Sequence, residues 1–293
     1  MYRCPECHQP LNASLACPQG HQFAMEDGLL VLLRPDFRRQ LEAFLARFAA
    51  LRQSEGRRIL DPAVYPTLPY NPALQSNPEW RLRRYDAELI LGQLTGRSPL
   101  RILDLGAWNG WLSHLLAAAG HQVTAIDYFS DAYDGLRARR HYPAGVTWHT
   151  IQLDLRDLTP LAEPFDLIIV NRCLQFFIDP PAYLAEVQKV VAHPGRVLYT
   201  GLSFFRDPRA KARSVAAFHQ HLAQHDLVNF KPMKGYLDFD DKALLAAQGC
   251  HLYTYRQLLA ANARSLLAPS APRYYYAIWL ADGDDGQPRR SDL

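Results

Sequence analysis

The chain has 293 residues, of which 48% are hydrophobic and 21% charged, with a formal net charge of +3. That length exceeds one minimal domain and fits a mid-sized core with an appendage, and the composition is that of a soluble globular protein. No apolar run approaches the ~20 residues of a bilayer span, and no apolar stretch directly follows Met1-Tyr2-Arg3-Cys4-Pro5, as a signal peptide would require. A cytoplasmic protein with no membrane association is expected. The mild charge neither requires nor excludes a nucleic-acid partner. Its arginine clusters (Arg81, Arg83 and Arg84; Arg137, Arg139 and Arg140; Arg206, Arg209, Lys211 and Arg213) read as solvated helix faces, the alternative being a patch for an anionic substrate.

The N-terminus holds three of the five cysteines within its first 17 residues. Cys4-Pro5-Glu6-Cys7 and Cys17-Pro18-Gln19-Gly20-His21 place two pairs of soft ligands on turns with a short loop between them. Such a set can close a tetrahedral zinc site, with Cys4, Cys7, Cys17 and His21 as ligands and His8 as a poorly placed competitor; the plainer alternative is an unmetallated loop with reduced thiols. A module so small buries too little to fold alone, so the metal would supply much of its stability. It is expected to span residues 1–33 and to end in the apolar run Leu29 to Leu33.

Residues 34–98 form a connector. Phe37, Leu41, Phe44, Leu45, Phe48 and Leu51 recur at helical spacing, predicting a helix over about 36–55. Pro62, Pro66, Pro69, Pro72 and Pro78 exclude a continuous helix and predict an ordered wrapping segment that, with Tyr65 and Tyr70, either lids a ligand or only packs on the sheet. A second helix is predicted from Pro78 to Leu94, ended by Gly96 and Pro99.

From Leu100 short apolar strands alternate with helices. Strands are predicted at Arg101 to Leu105, Gln122 to Ile126, Val146 to Leu153, Phe165 to Val170 and Arg196 to Leu202. Helices are predicted at Gly110 to Ala119, Asp131 to Arg140 and Pro181 to Ala192. Repeated units of this kind mean a parallel sheet covered by helices on both faces, an α/β fold. Later segments read as a helix at Asp207 to His225, a short helix at Asp241 to Gln248, and strands at His251 to Tyr255 and Tyr274 to Leu280. Residues 283–293 are polar and expected to be disordered.

The sharpest signal is Ile102-Leu103-Asp104-Leu105-Gly106-Ala107-Trp108-Asn109-Gly110-Trp111-Leu112, at a strand-to-helix junction where an open parallel sheet binds ligands. Gly106 and Gly110 permit a tight turn and close approach of the backbone to a ligand. The second strand ends in Asp127, whose carboxylate can accept hydrogen bonds from ribose hydroxyls. The third ends in Leu153-Asp154-Leu155, where a carboxylate can accept from an adenine amino group. The plainer alternative is that both acids cap following helices.

These residues resemble the class I S-adenosylmethionine (SAM)-dependent methyltransferases. Asp104 to Gly110 matches their glycine-rich loop, Ala125-Ile126-Asp127 the acidic end of their second strand, and Phe165 to Asn171 their fourth strand. Asp179-Pro180 through Val190, with His193-Pro194-Gly195, matches the helix and turn before their fifth. The resemblance implies a seven-stranded Rossmann-like sheet over residues 99–282, strand order 3-2-1-4-5-7-6 with the last strand antiparallel. It implies SAM as cofactor, held by Asp104, Gly106, Ala107, Trp108, Asn109, Gly110, Asp127, Tyr128, Asp154, Leu155 and Asn171. Trp108 departs from the pattern, which has a small residue there. Only Gly106 and Gly110 are present, without the third glycine of a Gly-x-Gly-x-x-Gly loop, so a dinucleotide is the weaker alternative.

The N-terminal segment is similar to the zinc ribbon that opens bacterial large-subunit rRNA guanine methyltransferases, through Cys17 to Phe23. It is also similar to a zinc-bearing activator subunit of several methyltransferases, through Asp27 to Leu33. The acceptor is left open. Asn171-Arg172-Cys173-Leu174 lacks the Asn/Asp-Pro-Pro-aromatic run of amino-group methylation, and Cys173 lacks the proline neighbour of pyrimidine C5 chemistry. Candidate substrate contacts are Tyr65, Arg83, Gln175, Phe176, His219, His221, His225 and Tyr236; no general base is singled out. A small-molecule acceptor is preferred over RNA guided by the ribbon, and over a non-catalytic SAM-binding regulator.

Overall fold

The computed structural model describes residues 2–281; the predicted disordered tail lies outside the described residues. The N-terminal segment is built on turns, then on a hairpin of β1 (Ala24–Glu26) and β2 (Leu29–Leu32). Asp27 and Gly28 between them both have positive φ, 51° and 79°, the pairing that matches a two-residue hairpin to strand twist. All four β2 side chains are buried. Such an unalternating apolar run suits a strand covered on both faces, and β2 pairs in parallel with β5 (His149–Leu153), Leu30 facing Ile151. The N-terminal segment is thereby joined to the main sheet, and Tyr2 bridges to Leu161 beyond β5.

Two long helices follow. α1 (Pro35–Ser54) buries Phe37, Leu41, Phe44 and Leu51, the stripe predicted from spacing. The proline-rich stretch forms two 3-10 turns, Pro62–Thr67 and Pro72–Leu74, each started by a side chain accepting from the backbone: Asp61 from Ala63 N and Asn71 from Ala73 N. α2 (Pro78–Leu94) is capped by Asn77, which accepts from Glu79 N.

The sheet then builds through β3 (Arg101–Leu105), α3 (Trp111–Ala118), β4 (Gln122–Asp127), β5, β6 (Phe165–Asn171), α4 (Tyr183–Gln188) and β7 (Val191–Phe205). α5 (Arg209–Gln224), the two-residue β8 (Leu237–Asp238), α6 (Phe239–Ala247), β9 (His251–Thr254), α7 (Leu259–Arg264) and β10 (Pro272–Leu280) complete it. The strand order is β1-β2-β5-β4-β3-β6-β7-β10-β9, with β8 beside β7. From β5 onward this is the implied order 3-2-1-4-5-7-6, and β10 runs antiparallel to β7. The fold is an α/β Rossmann-like sheet extended at one edge by the N-terminal hairpin.

Four predicted elements differ; the helix expected over Pro181 to Ala192 is confined to Tyr183–Gln188, because β7 already begins at Val191. The helix expected over Asp131 to Arg140 is a 3-10 turn at Leu136–His141. The Asp131 carboxylate accepts from Tyr133 N and Asp134 N at 2.7 and 2.9 Å, closing a turn, and Gly135 is fully extended, which stops helix propagation. The third strand starts at His149 rather than Val146, and β7 runs on both sides of the expected segment because β10 and β8 pair with its far end. Among the described residues, no helix is long and apolar enough to cross a membrane.

Candidate active site

At the carboxyl ends of β3, β4 and β6 lies a cavity of about 400 Å³. Its floor is the turn after β3. Gly106 and Ala107 donate their N–H groups to the Ile126 carbonyl at 2.9 and 3.1 Å, which holds the turn against β4. Gly106 has φ +76°, and a Cβ there would stand 2.7 Å from Cys173 Sγ, so both the backbone and the space demand glycine. Gly110, at φ +78°, starts α3.

Trp108 occupies a left-handed conformation, φ 51°, unusual for a bulky residue. Its ring is turned outward onto α2, stacked on Trp80 at 5.8 Å, and the Arg83 guanidinium lies 5.0 and 5.2 Å from the two rings. Its N–H donates to Asp127 Oδ2 at 2.7 Å. The large residue in the loop is thus accommodated by a stack on α2 rather than by filling the turn.

Asp127 ends β4 and is 5% exposed. Burial raises its pKa to about 6, although the N–H groups of Phe129, Trp108 and Tyr128 favour the ionised form. Asp104 is buried behind the loop, accepting from Ser113 Oγ at 2.6 Å, and burial raises it to about 7 despite that bond. Asp154 is engaged elsewhere, receiving Arg156 Nη2 at 2.7 Å and the Tyr128 hydroxyl at 3.0 Å. Of the residues expected around a cofactor, Gly106, Trp108, Asp127, Tyr128, Leu155 and Asn171 line the cavity. Asp104, Ala107, Asn109, Gly110 and Asp154 are not part of its lining.

Among the expected substrate contacts, Arg83 and Phe176 reach the cavity. Tyr65 is fully buried away from it, its hydroxyl 2.7 Å from the Ile59 carbonyl. His221 pairs with Glu55 and stacks edge-on with His225, His219 bonds Asn229, and Tyr236 packs under Lys234. The Gln175 amide donates to the Arg172 carbonyl.

Two functional features had no sequence signal sharp enough to single them out. Asp86 on α2, fully buried, accepts from Arg172 Nε at 2.5 Å, Asn171 Nδ2 at 3.1 Å and the Tyr255 hydroxyl at 2.7 Å, fixing the end of β6 that borders the cavity. Lys231 projects into the cavity beside the Tyr128 and Phe177 rings, 5.5 and 5.3 Å from their centroids, and donates to the Phe176 carbonyl. Burial lowers its pKa to about 8. An acid on the apolar stripe of α2 was the one available hint for Asp86; nothing local marked Lys231.

The N-terminal cysteines converge as their spacing predicts. Cys4, Cys7, Cys17 and His21 bring one ligand atom each within 4.8 Å of one another. Sγ of Cys4 and of Cys17 are both 3.4 Å from His21 Nδ1, and Cys7 Sγ is 3.6 Å from Cys17 Sγ. Zinc–sulfur and zinc–nitrogen bonds of ordinary length imply tetrahedron edges of roughly 3.5–3.8 Å, so the donor set fits zinc. His8 is not in the group.

Comparison with known proteins bears on the same region. A family model described as a methyltransferase domain matches residues 34–262. The malonyl-[acyl-carrier protein] O-methyltransferase of Pseudescherichia vulneris is 33% identical over 124 residues, 42% of this chain and 47% of that protein. The ubiquinone biosynthesis O-methyltransferase of Pseudomonas syringae pv. tomato is 27% identical over 111 residues, 38% of this chain and 47% of that protein. The chain therefore spans about half the length of these curated relatives. The plantazolicin methyltransferase BpumL, solved with SAH, superposes with a TM-score of 0.45 at 15% identity, covering 84% of this chain and all of that one.

Proposed function

The chain belongs to the methyltransferase domain family, and from that premise we propose that it transfers a methyl group from SAM to a small-molecule acceptor. The carrying observation is Asp127 at the end of β4, buried and facing a cavity that opens on the strained glycine turn. Each of its oxygens accepts one backbone N–H and retains capacity for a ribose hydroxyl. Tyr128 and Leu155 supply apolar surface for a purine. Arg83, stacked on Trp108 of the loop, is placed for the carboxylate of the cofactor's amino-acid end.

These residues fit SAM, which when bound supplies a methyl group on an electrophilic sulfonium. The chain's part is positioning and exclusion of water. Holding two reactants in line can account for roughly 7–11 kcal/mol of a barrier, and the wall of Phe44, Phe48, Phe129, Phe218 and Phe230 keeps solvent from the reacting centre. The names of the curated relatives, both O-methyltransferases, support a small or carrier-bound acceptor and methylation on oxygen. We further read residues 1–33 as a module held by one structural zinc, since a closed four-ligand site leaves no open position for chemistry.

The test is titration of SAM and S-adenosylhomocysteine into the full chain, followed by transfer from labelled SAM into a cell extract with and without ribonuclease. Binding of both, with label in the low-mass fraction, is the expected result. Label confined to a ribonuclease-sensitive polymer would favour the reading of an RNA enzyme guided by the ribbon. Binding without transfer would favour a SAM-responsive regulator.

A further inference from the structure

The acidic side chains that line the cavity each have a hydrogen-bond or ion-pair partner. No histidine lines the cavity among the described residues. Asp134 receives Arg52 at 2.8 Å, Glu79 pairs with Arg83 at 3.2 Å, and Asp127 receives two backbone N–H groups. The Cys173 thiol donates to the Leu105 carbonyl, and burial raises its pKa. An acceptor whose proton must leave needs a base within reach; one that enters already ionised does not.

The charges in the cavity point the same way. Arg52 and Arg172 have carboxylate partners, but Lys231 has none within 4 Å among the described residues and is held by a carbonyl and two ring faces. Bound SAM would add a net positive charge. A desolvated cation with no carboxylate in direct contact, served only by the more distant charges of Asp127 and Asp154, is costly, and an incoming anion offsets that cost. The cavity lining is otherwise rich in phenylalanine, with Leu222 and Met233.

Resting on the function proposed above, we propose that the acceptor is a small apolar carboxylic acid, methylated on its carboxylate oxygen, with Lys231 receiving the anion. One carboxylate oxygen forms the bond to the methyl carbon as the carbon–sulfur bond breaks. The bonding pair returns to sulfur, which leaves as a neutral thioether. The negative and positive charges cancel, and no proton has to be removed. The product is a methyl ester.

The test has a binding arm and a product arm. Decanoate and 4-phenylbutyrate, with decylamine and decanamide as controls, are titrated into the S-adenosylhomocysteine-loaded chain, read by Trp108 and Trp111 fluorescence. The acids are expected to bind at least tenfold more tightly than the amine or amide, and Lys231→Met to lose that preference. In the product arm, label transferred from SAM into the low-mass fraction of an extract, or into the two acids, is treated with alkali. Esters release it as methanol; ethers and methylamines do not. Equal binding of acid, amide and amine, or alkali-stable label, overturns the proposal, as does absence of transfer to any carboxylate in a chain that binds S-adenosylhomocysteine. Failure of the unmodified chain to bind S-adenosylhomocysteine at all would instead overturn the methyltransferase reading itself.

Discussion

Arg172 Nε and Asp86 Oδ2 meet at 2.5 Å although 86 positions separate them in sequence. Asp86 is fully buried, and the same carboxylate receives Asn171 and Tyr255, so α2, the end of β6 and the start of the β9 exit loop share one acceptor. Removing one partner of such a pair leaves a buried charge uncompensated, at a cost of roughly 3–5 kcal/mol. Asp86→Ala is expected to lower the urea unfolding midpoint by a corresponding amount and to weaken S-adenosylhomocysteine binding, because Asn171 and Arg172 border the cavity. Unchanged urea unfolding would show that the network adds nothing to stability.

Gly106 is constrained twice, by φ +76° and by Cys173 Sγ 2.7 Å from where a Cβ would stand. Left-handed backbone costs a non-glycine residue roughly 1–2 kcal/mol, and the clash adds to it. Gly106→Ala should be destabilised by more than that backbone cost. Adding Cys173→Gly should recover the steric part and leave the backbone part. A double variant no more stable than Gly106→Ala in thermal unfolding would place the strain elsewhere.

Both acids around the loop have raised folded-state pKa values, about 7 for Asp104 and about 6 for Asp127, above the unfolded value of 3.8. A carboxyl raised on folding favours the folded state when protonated. Their contribution is therefore fully present below about pH 3.8 and is lost as pH rises through about 6 and then about 7. Ligand binding is expected to run the other way, because a ribose needs the ionised form of Asp127 as acceptor. Affinity for S-adenosylhomocysteine should fall as pH drops below about 6, and Asp127→Asn should bind weakly at every pH. A pH-independent affinity in the unmodified chain would remove Asp127 from the ribose.

The N-terminal donor set predicts one zinc per chain, measurable by metal analysis. Chelation, or Cys17→Ser, should release it and loosen residues 2–23, seen as faster amide exchange there. The sheet should persist, because β2 is held by β5 rather than by the cluster. Metal-free protein with unchanged exchange over those residues would leave the cysteines without a metal role.

Much of this was legible along the chain. The helix stripe of Phe37, Leu41 and Phe44, the strand pattern from Arg101 onward, the glycine turn and the Cys/His spacing all depend on neighbours within a few residues. The Asp131 to Arg140 segment was misread because side-chain bonds from Asp131 outweigh helical periodicity, a competition that apolar spacing does not register. Asp154 directly follows the third strand as expected, and the structure adds that Arg156, two residues on, donates to its oxygens.

By itself the sequence determined most of the element types, the position of the glycine turn and its acid Asp127, and the convergent set of three cysteines and one histidine, since local dihedral preference and ligand spacing are short-range properties. Only the tertiary structure decided that β2 joins the sheet beside β5, that the Trp108 ring lies on α2 beneath Arg83, that Asp86 clamps Arg172, and that Lys231 stands in the cavity with no carboxylate within 4 Å among the described residues. Those contacts join residues that no periodicity links. They exist because burying the sheet's faces forces distant segments together and leaves their polar groups to find partners in what remains.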